Sequence, residues 1–80
     1  MKSRKVFVRV LAEIDEEGSV SPKSITWEDG REFIIDKVTS KQRACATKTG
    51  GTAIRYSICV CGRQTYLYED DGKWFVESDI

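Results

Sequence analysis

Apolar side chains fall on every second position through several short runs of this chain, and most of those runs end beside a glycine. Period two is the repeat of a β-strand, whose successive side chains point to opposite faces. In the first run, Val6, Val8, Val10 and Ala12 share one face, and Phe7, Arg9, Leu11 and Glu13 share the other. Its β-branched density favours a strand, because such side chains are stiff at χ1 and pack well on a pleated surface. The acidic stretch ending at Gly18-Ser19 then reads as a loop.

The second run brings Ile25 and Trp27 to one face and meets Glu28-Asp29-Gly30. Asp-Gly between two strand-like runs signals a hairpin, because glycine supplies the positive φ that the turn needs. Pro22 lacks an N–H for the ladder, so its segment belongs at a sheet edge or a strand start. The return strand is expected from Arg31 to about Thr39, with Phe33 and Ile35 on one side and Ile34, Asp36 and Val38 on the other.

Alternation stops at Ser40 and resumes at Ile54. A short helical turn over residues 41–48 is expected there, within a basic, Gly-rich loop at about 40–53. Beyond it, Ile54, Tyr56, Ile58 and Val60 form an inward face opposite Arg55, Ser57, Cys59 and Cys61. Turns at Gly62-Arg63 and Asp70-Asp71-Gly72 divide residues 54–77 into a three-stranded meander. Thr65 and Leu67 lie opposite Tyr66 and Tyr68 in its middle strand.

Eighty residues hold one core, so residues 1–80 are expected to form a single β-barrel domain. Short strands and almost no helical pattern predict an all-β fold, a small antiparallel SH3-like barrel or strongly curled sheet of five to six strands. Closure is the simplest solution, since a flat sheet of this size exposes two edges and an apolar face. An OB-fold is disfavoured because it carries a helix and longer strands.

The chemistry is narrowed mainly by what the sequence lacks. There is no histidine, which removes the commonest general base, metal ligand and pH switch. Cys45, Cys59 and Cys61 are an odd set at unfavourable spacing for structural zinc, and no C-x-x-C pair is present. They read as incidental reduced thiols. The carboxylates cluster in turns, at 15–17, 28–29 and 69–71, where they solvate hairpin ends. No phosphate-binding loop, dinucleotide fingerprint or nucleophile elbow is present. We therefore expect no enzymatic activity, no catalytic residue, no cofactor and no bound metal. No apolar run is long enough to span a membrane, and Arg9 interrupts the N-terminal apolar stretch that a signal peptide would need. The expected address is cytoplasmic.

Net charge is zero, but its distribution is uneven. From Lys37 to Arg63 all six charged residues are basic, whereas residues 14–36 hold seven acids against two bases. Lys41, Arg43, Lys48, Arg55 and Arg63 are thus candidates for contact with a phosphate backbone. The alternative is charge pairing across the sheet. The aromatics give a second candidate surface. Leu67 and both flanking tyrosines cannot share a face, nor can Trp74 and Phe75, which marks Tyr66, Tyr68 and Phe75 as candidate interaction aromatics. The primary functional expectation is a non-enzymatic interaction module, with a protein partner or a second copy of itself. The alternative is a nucleic-acid-binding accessory protein.

The string Ile25-Thr26-Trp27-Glu28-Asp29-Gly30-Arg31-Glu32-Phe33-Ile34-Ile35-Asp36-Lys37-Val38 resembles a small, uncharacterised bacterial family with a W-x-x-G-R-x-[YF] hairpin. Arg43, Ile54-Arg55-Tyr56, Thr65-Tyr66-Leu67-Tyr68 and the terminal Trp74-Phe75-Val76-Glu77 match its later parts, so the resemblance runs from about Val20 to Glu77. Some similar proteins in other bacteria are encoded beside lesion-bypass DNA polymerases, so the resemblance implies an accessory role near DNA. The family brings no catalytic residue, and the cysteines fall outside its pattern.

Overall fold

Val6, Val8 and Val10 of the first run face inward, and the partners they meet come from both ends of the chain. A computed structural model describes residues 3–45 and 52–79. Within them are six strands: β1 (Ser3–Ile14), β2 (Val20–Thr26), β3 (Glu32–Cys45), β4 (Thr52–Val60), β5 (Arg63–Asp70) and β6 (Lys73–Asp79). They pair antiparallel in chain order, and β6 returns to β1 to close the barrel. The fold is all-β, as expected, and its size and closure fit a small SH3-like barrel.

Two strands change partner along their length. In β1, residues 3–8 pair with β6 and residues 9–14 with β2. In β3, residues 32–34 pair with β2 and the rest with β4. Three bulges keep the inward face in phase around these bends. Lys23 is passed over between the pairs Leu11–Ser24 and Ala12–Pro22, while Asp36 and Thr39 are passed over in β3. An extra residue bends the strand and resets its alternation. Hence Val38, expected beside Ile34 and Asp36, instead pairs with the buried Ile58. Pro22 sits beside the first bulge and outside the β2–β3 ladder, where its missing N–H does no harm.

Turn chemistry divides the hairpins into two kinds. The first two have three-residue loops, each with glycine last. Gly18 N–H donates to Asp15 O (2.9 Å) and Asp15 N–H to Ser19 O (3.0 Å), and Gly30 and Trp27 repeat the pattern with Trp27 O and Arg31 O. Positive φ at Gly18 and Gly30 supplies the left-handed step. The expected Asp29-Gly30 turn is therefore one residue longer than a two-residue turn, because Trp27 and Arg31 close it. The β4–β5 and β5–β6 hairpins have two-residue loops, Cys61-Gly62 and Asp71-Gly72, with both residues of each at positive φ.

The barrel core is Ile25, Ile35, Tyr56, Ile58 and Leu67, with Val8, Val10, Ile54, Val60, Trp74 and Val76 packed against it. Tyr56 and Trp74 meet inside it, with ring centroids 5.2 Å apart. A second cluster, Ala53, Tyr68 and Phe75, lies on the opposite face of the sheet.

The helical turn expected at 41–48 is overturned where the structure describes it. Residues 41–45 continue β3, and Cys45 pairs with Thr52. The basic loop expected at 40–53 is correspondingly a ribbon at both ends, and its centre, residues 46–51 with Lys48, lies outside the described residues.

Candidate interaction groove

The closing strand leaves a gap in the barrel wall. β6 pairs with β5 only at Tyr68–Phe75, Glu69–Trp74 and Asp70–Lys73, and then follows β1 to Asp79. Residues 63–67 of β5 are paired with β4 on one side and, among the described residues, have no ladder partner on the other.

The turns fix which backbone groups face that gap. In a two-residue hairpin the pair flanking the loop exchanges both hydrogen bonds, and the bonded phase then alternates along the strand. Val60–Arg63, Ile58–Thr65 and Tyr56–Leu67 are thus the bonded pairs across β4 and β5. The N–H and C=O of Gln64 and Tyr66 point the other way, toward the gap. Counting from the Asp70–Lys73 turn gives the same phase, with Tyr68–Phe75 as the next bonded pair.

Beneath this edge lies a groove of about 560 Å³. Its apolar wall is Ile25, Trp27, Phe33, Val60 and Val76, and its rim carries Arg31, Cys61, Arg63, Thr65 and Glu77. Arg31 lies over the Phe33 ring at 5.7 Å and is held at 2.7 Å by Asp29. The Arg31 backbone and side chain both donate to Asp29, which lowers that carboxyl's pKa below its ordinary value. Glu77 accepts the Tyr68 hydroxyl at 3.0 Å. Arg63 is exposed and has no ion-pair partner among the described residues.

The basic candidates are not gathered. Lys41 and Arg43 lie on one face of the β3–β4 ribbon, paired with Tyr56 and Ile54, and the Lys41 ammonium sits 5.4 Å from the Tyr56 ring centroid. Arg55 lies on the opposite face, 4.6 Å from the Tyr66 ring centroid, and its buried Nε has no hydrogen-bond partner among the described residues. Arg63 is at the other end of β4, six positions from the level of Arg43, or roughly 20 Å. Lys48 lies outside the described residues.

The candidate aromatics also separate. Tyr66 is 44% exposed, but Tyr68 and Phe75 are 2% and 1% exposed. With both rings buried, Tyr68 and Phe75 lack the accessible face that a contact role requires. They stack on each other, Phe7 tilts against Phe75 at 5.7 Å, and the Lys5 ammonium covers the Phe75 ring at 4.7 Å. Burial raises the Tyr68 pKa above its ordinary value, helped by the Glu77 hydrogen bond and opposed by Arg55. Burial, then the charge of Glu69, raises that of Tyr56.

Among the described residues no three Cys, Asp or Glu side chains come together as metal ligands. Along the register, Cys45 is level with Thr52, seven positions or roughly 23 Å from Cys59. No helix among the described residues is long and apolar enough to cross a membrane. Sequence reading placed Trp27 and Phe33 beside a hairpin, but the groove itself needs the partner exchange of β6, which no local pattern encodes. In comparison with known proteins, no family model, curated protein or solved structure matches this chain.

Proposed function

We propose that this chain is a cytoplasmic, non-enzymatic interaction module whose contact surface is the groove along β5. The observation that carries the reading is the interrupted ladder: Gln64 and Tyr66 present backbone donors and acceptors above an apolar wall. Unpaired strand edges are templates for another chain, and proteins ordinarily cover or blunt them. Thr65 is exposed on that edge, so Thr65→Arg fills the groove without opening the core. Light scattering after size exclusion, pull-down and hydrogen exchange test the idea together. A partner or second copy should slow exchange at the Gln64 and Tyr66 amides, and Thr65→Arg should abolish the effect. A strict monomer that captures nothing, or capture indifferent to Thr65→Arg, removes the proposal.

A second reading, nucleic-acid contact in an accessory role, is supported by Lys41 and Arg43. Both are exposed on one ribbon face, with no carboxylate partner among the described residues. The resemblance to proteins encoded beside lesion-bypass polymerases points the same way. It predicts a low-salt mobility shift with DNA or RNA that weakens in the Lys41→Ala, Arg43→Ala double variant. No shift at low salt removes it.

A further inference from the structure

We propose that the groove's ligand is an extended, acidic peptide segment, added as a further strand on the β5 edge. This rests on the interaction-module reading and names the partner's chemistry.

Three observations converge on it. First, the outward backbone groups belong to Gln64 and Tyr66, two residues apart. That is the repeat at which an antiparallel strand offers its own donors and acceptors. A polyproline-type ligand has no such ladder to give and would leave those groups unpaired. Second, Arg63 and Thr65 lie between and beside these residues, on the groove side of β5. Residues opposite them in an added strand occupy non-hydrogen-bonded positions, where cross-strand side chains approach most closely. A carboxylate opposite Arg63 answers its unpartnered charge. An apolar β-branched side chain two positions away, opposite Thr65, descends toward Trp27 and Val76. Third, a second copy fits less well. Pairing two β5 edges about Thr65 would set Arg63 opposite Leu67 of the other copy, leaving both guanidinium groups without a counter-charge.

The test is a titration of the ¹⁵N-labelled full chain, followed by amide shifts, with three capped seven-residue peptides. One has the sequence Thr-Glu-Thr-Val-Thr-Glu-Thr, which puts glutamate and valine two positions apart on one face, one has lysine in place of both glutamates, and one is proline-rich. The glutamate peptide should move the amides of residues 63–67, and added salt should weaken it. Arg63→Glu should weaken it about tenfold, reversing one cross-strand pair. Gln64→Pro removes a donor that faces away from β4, a position where edge strands tolerate proline, and should abolish binding. The same glutamate peptide N-methylated at its threonines, the positions whose amides face β5, should also fail to bind, which checks the ladder without altering the protein. Equal or tighter binding of the lysine or proline-rich peptide overturns the proposal. So does an unmoved spectrum at millimolar glutamate peptide, or binding that survives methylation of the amides facing β5. If the peptides fail while Thr65→Arg still abolishes capture of a partner, the acidic-strand inference falls and the interaction module stands.

Discussion

Phe75 lies flat against Tyr68, with ring centroids 5.1 Å apart and planes 7° from parallel, on the side of the sheet turned away from the barrel core. The pair is a small second core. Phe75→Ala should therefore cost about 3–5 kcal/mol, as for any buried large aromatic. Its neighbour Phe7 is 58% exposed, and Phe7→Ala should cost about 1 kcal/mol. Urea unfolding of the two variants checks the contrast. Equal losses would show that the second cluster contributes no more than a surface ring.

Tyr68 and Tyr56 make the fold sensitive to alkali. Both have pKa values raised above the ordinary 10.0, burial being the main cause in each. The folded state therefore holds their protons more tightly than the unfolded state does. The associated stability is fully present below pH 10 and is lost as pH rises through the folded-state values. Unfolding midpoints should fall above pH 10, and Tyr56→Phe with Tyr68→Phe should flatten that fall. A profile unchanged by both substitutions would refute it.

Cys61 occupies a turn position that suits other residues better. Its φ is 53°, and so is that of Asp71 at the equivalent place in the next hairpin. Asp and Asn tolerate this left-handed region, while most side chains strain in it. Cys61→Asn should stabilise the chain by about 0.5–1 kcal/mol. Asp71→Ala should destabilise it by a similar amount. The urea midpoint reports both, and a loss in Cys61→Asn would mean that the thiol makes contacts worth more than the strain.

Asp15 organises the first hairpin loop through one oxygen. Its Oδ1 accepts the N–H groups of Glu17 and Ser19, each at 2.9 Å. Asp15→Asn keeps an acceptor there and should be nearly neutral, whereas Asp15→Ala should cost about 1 kcal/mol. Hydrogen exchange at the Ser19 amide gives the local readout.

Strand content was legible wherever one face meets the core, because contrast between the faces is what alternation records. Ile54, Tyr56, Ile58 and Val60 show it plainly, and they face inward. The end of β3 was hidden for the same reason. Lys41 and Arg43 hold inward-phase positions opposite Tyr56 and Ile54 but are themselves exposed, so cations stand where alternation predicts apolar residues. The bulges at Lys23, Asp36 and Thr39 each inserted a residue that the period could not predict. The acidic turn clusters were readable in composition, and Asp15 and Asp29 do accept the amides of their own loops. The groove was not readable, because it depends on the far end of the chain returning to the first strand.

That return also governs how the molecule is made. A ribosome releases β1 first and β6 last, yet residues 3–8 of β1 pair only with β6. Until β6 emerges the nascent protein carries Val6 and Val8 on a segment whose ladder partners, Val76 and Trp74, are still to come. Such distant pairing slows closure and exposes newborn chains to one another.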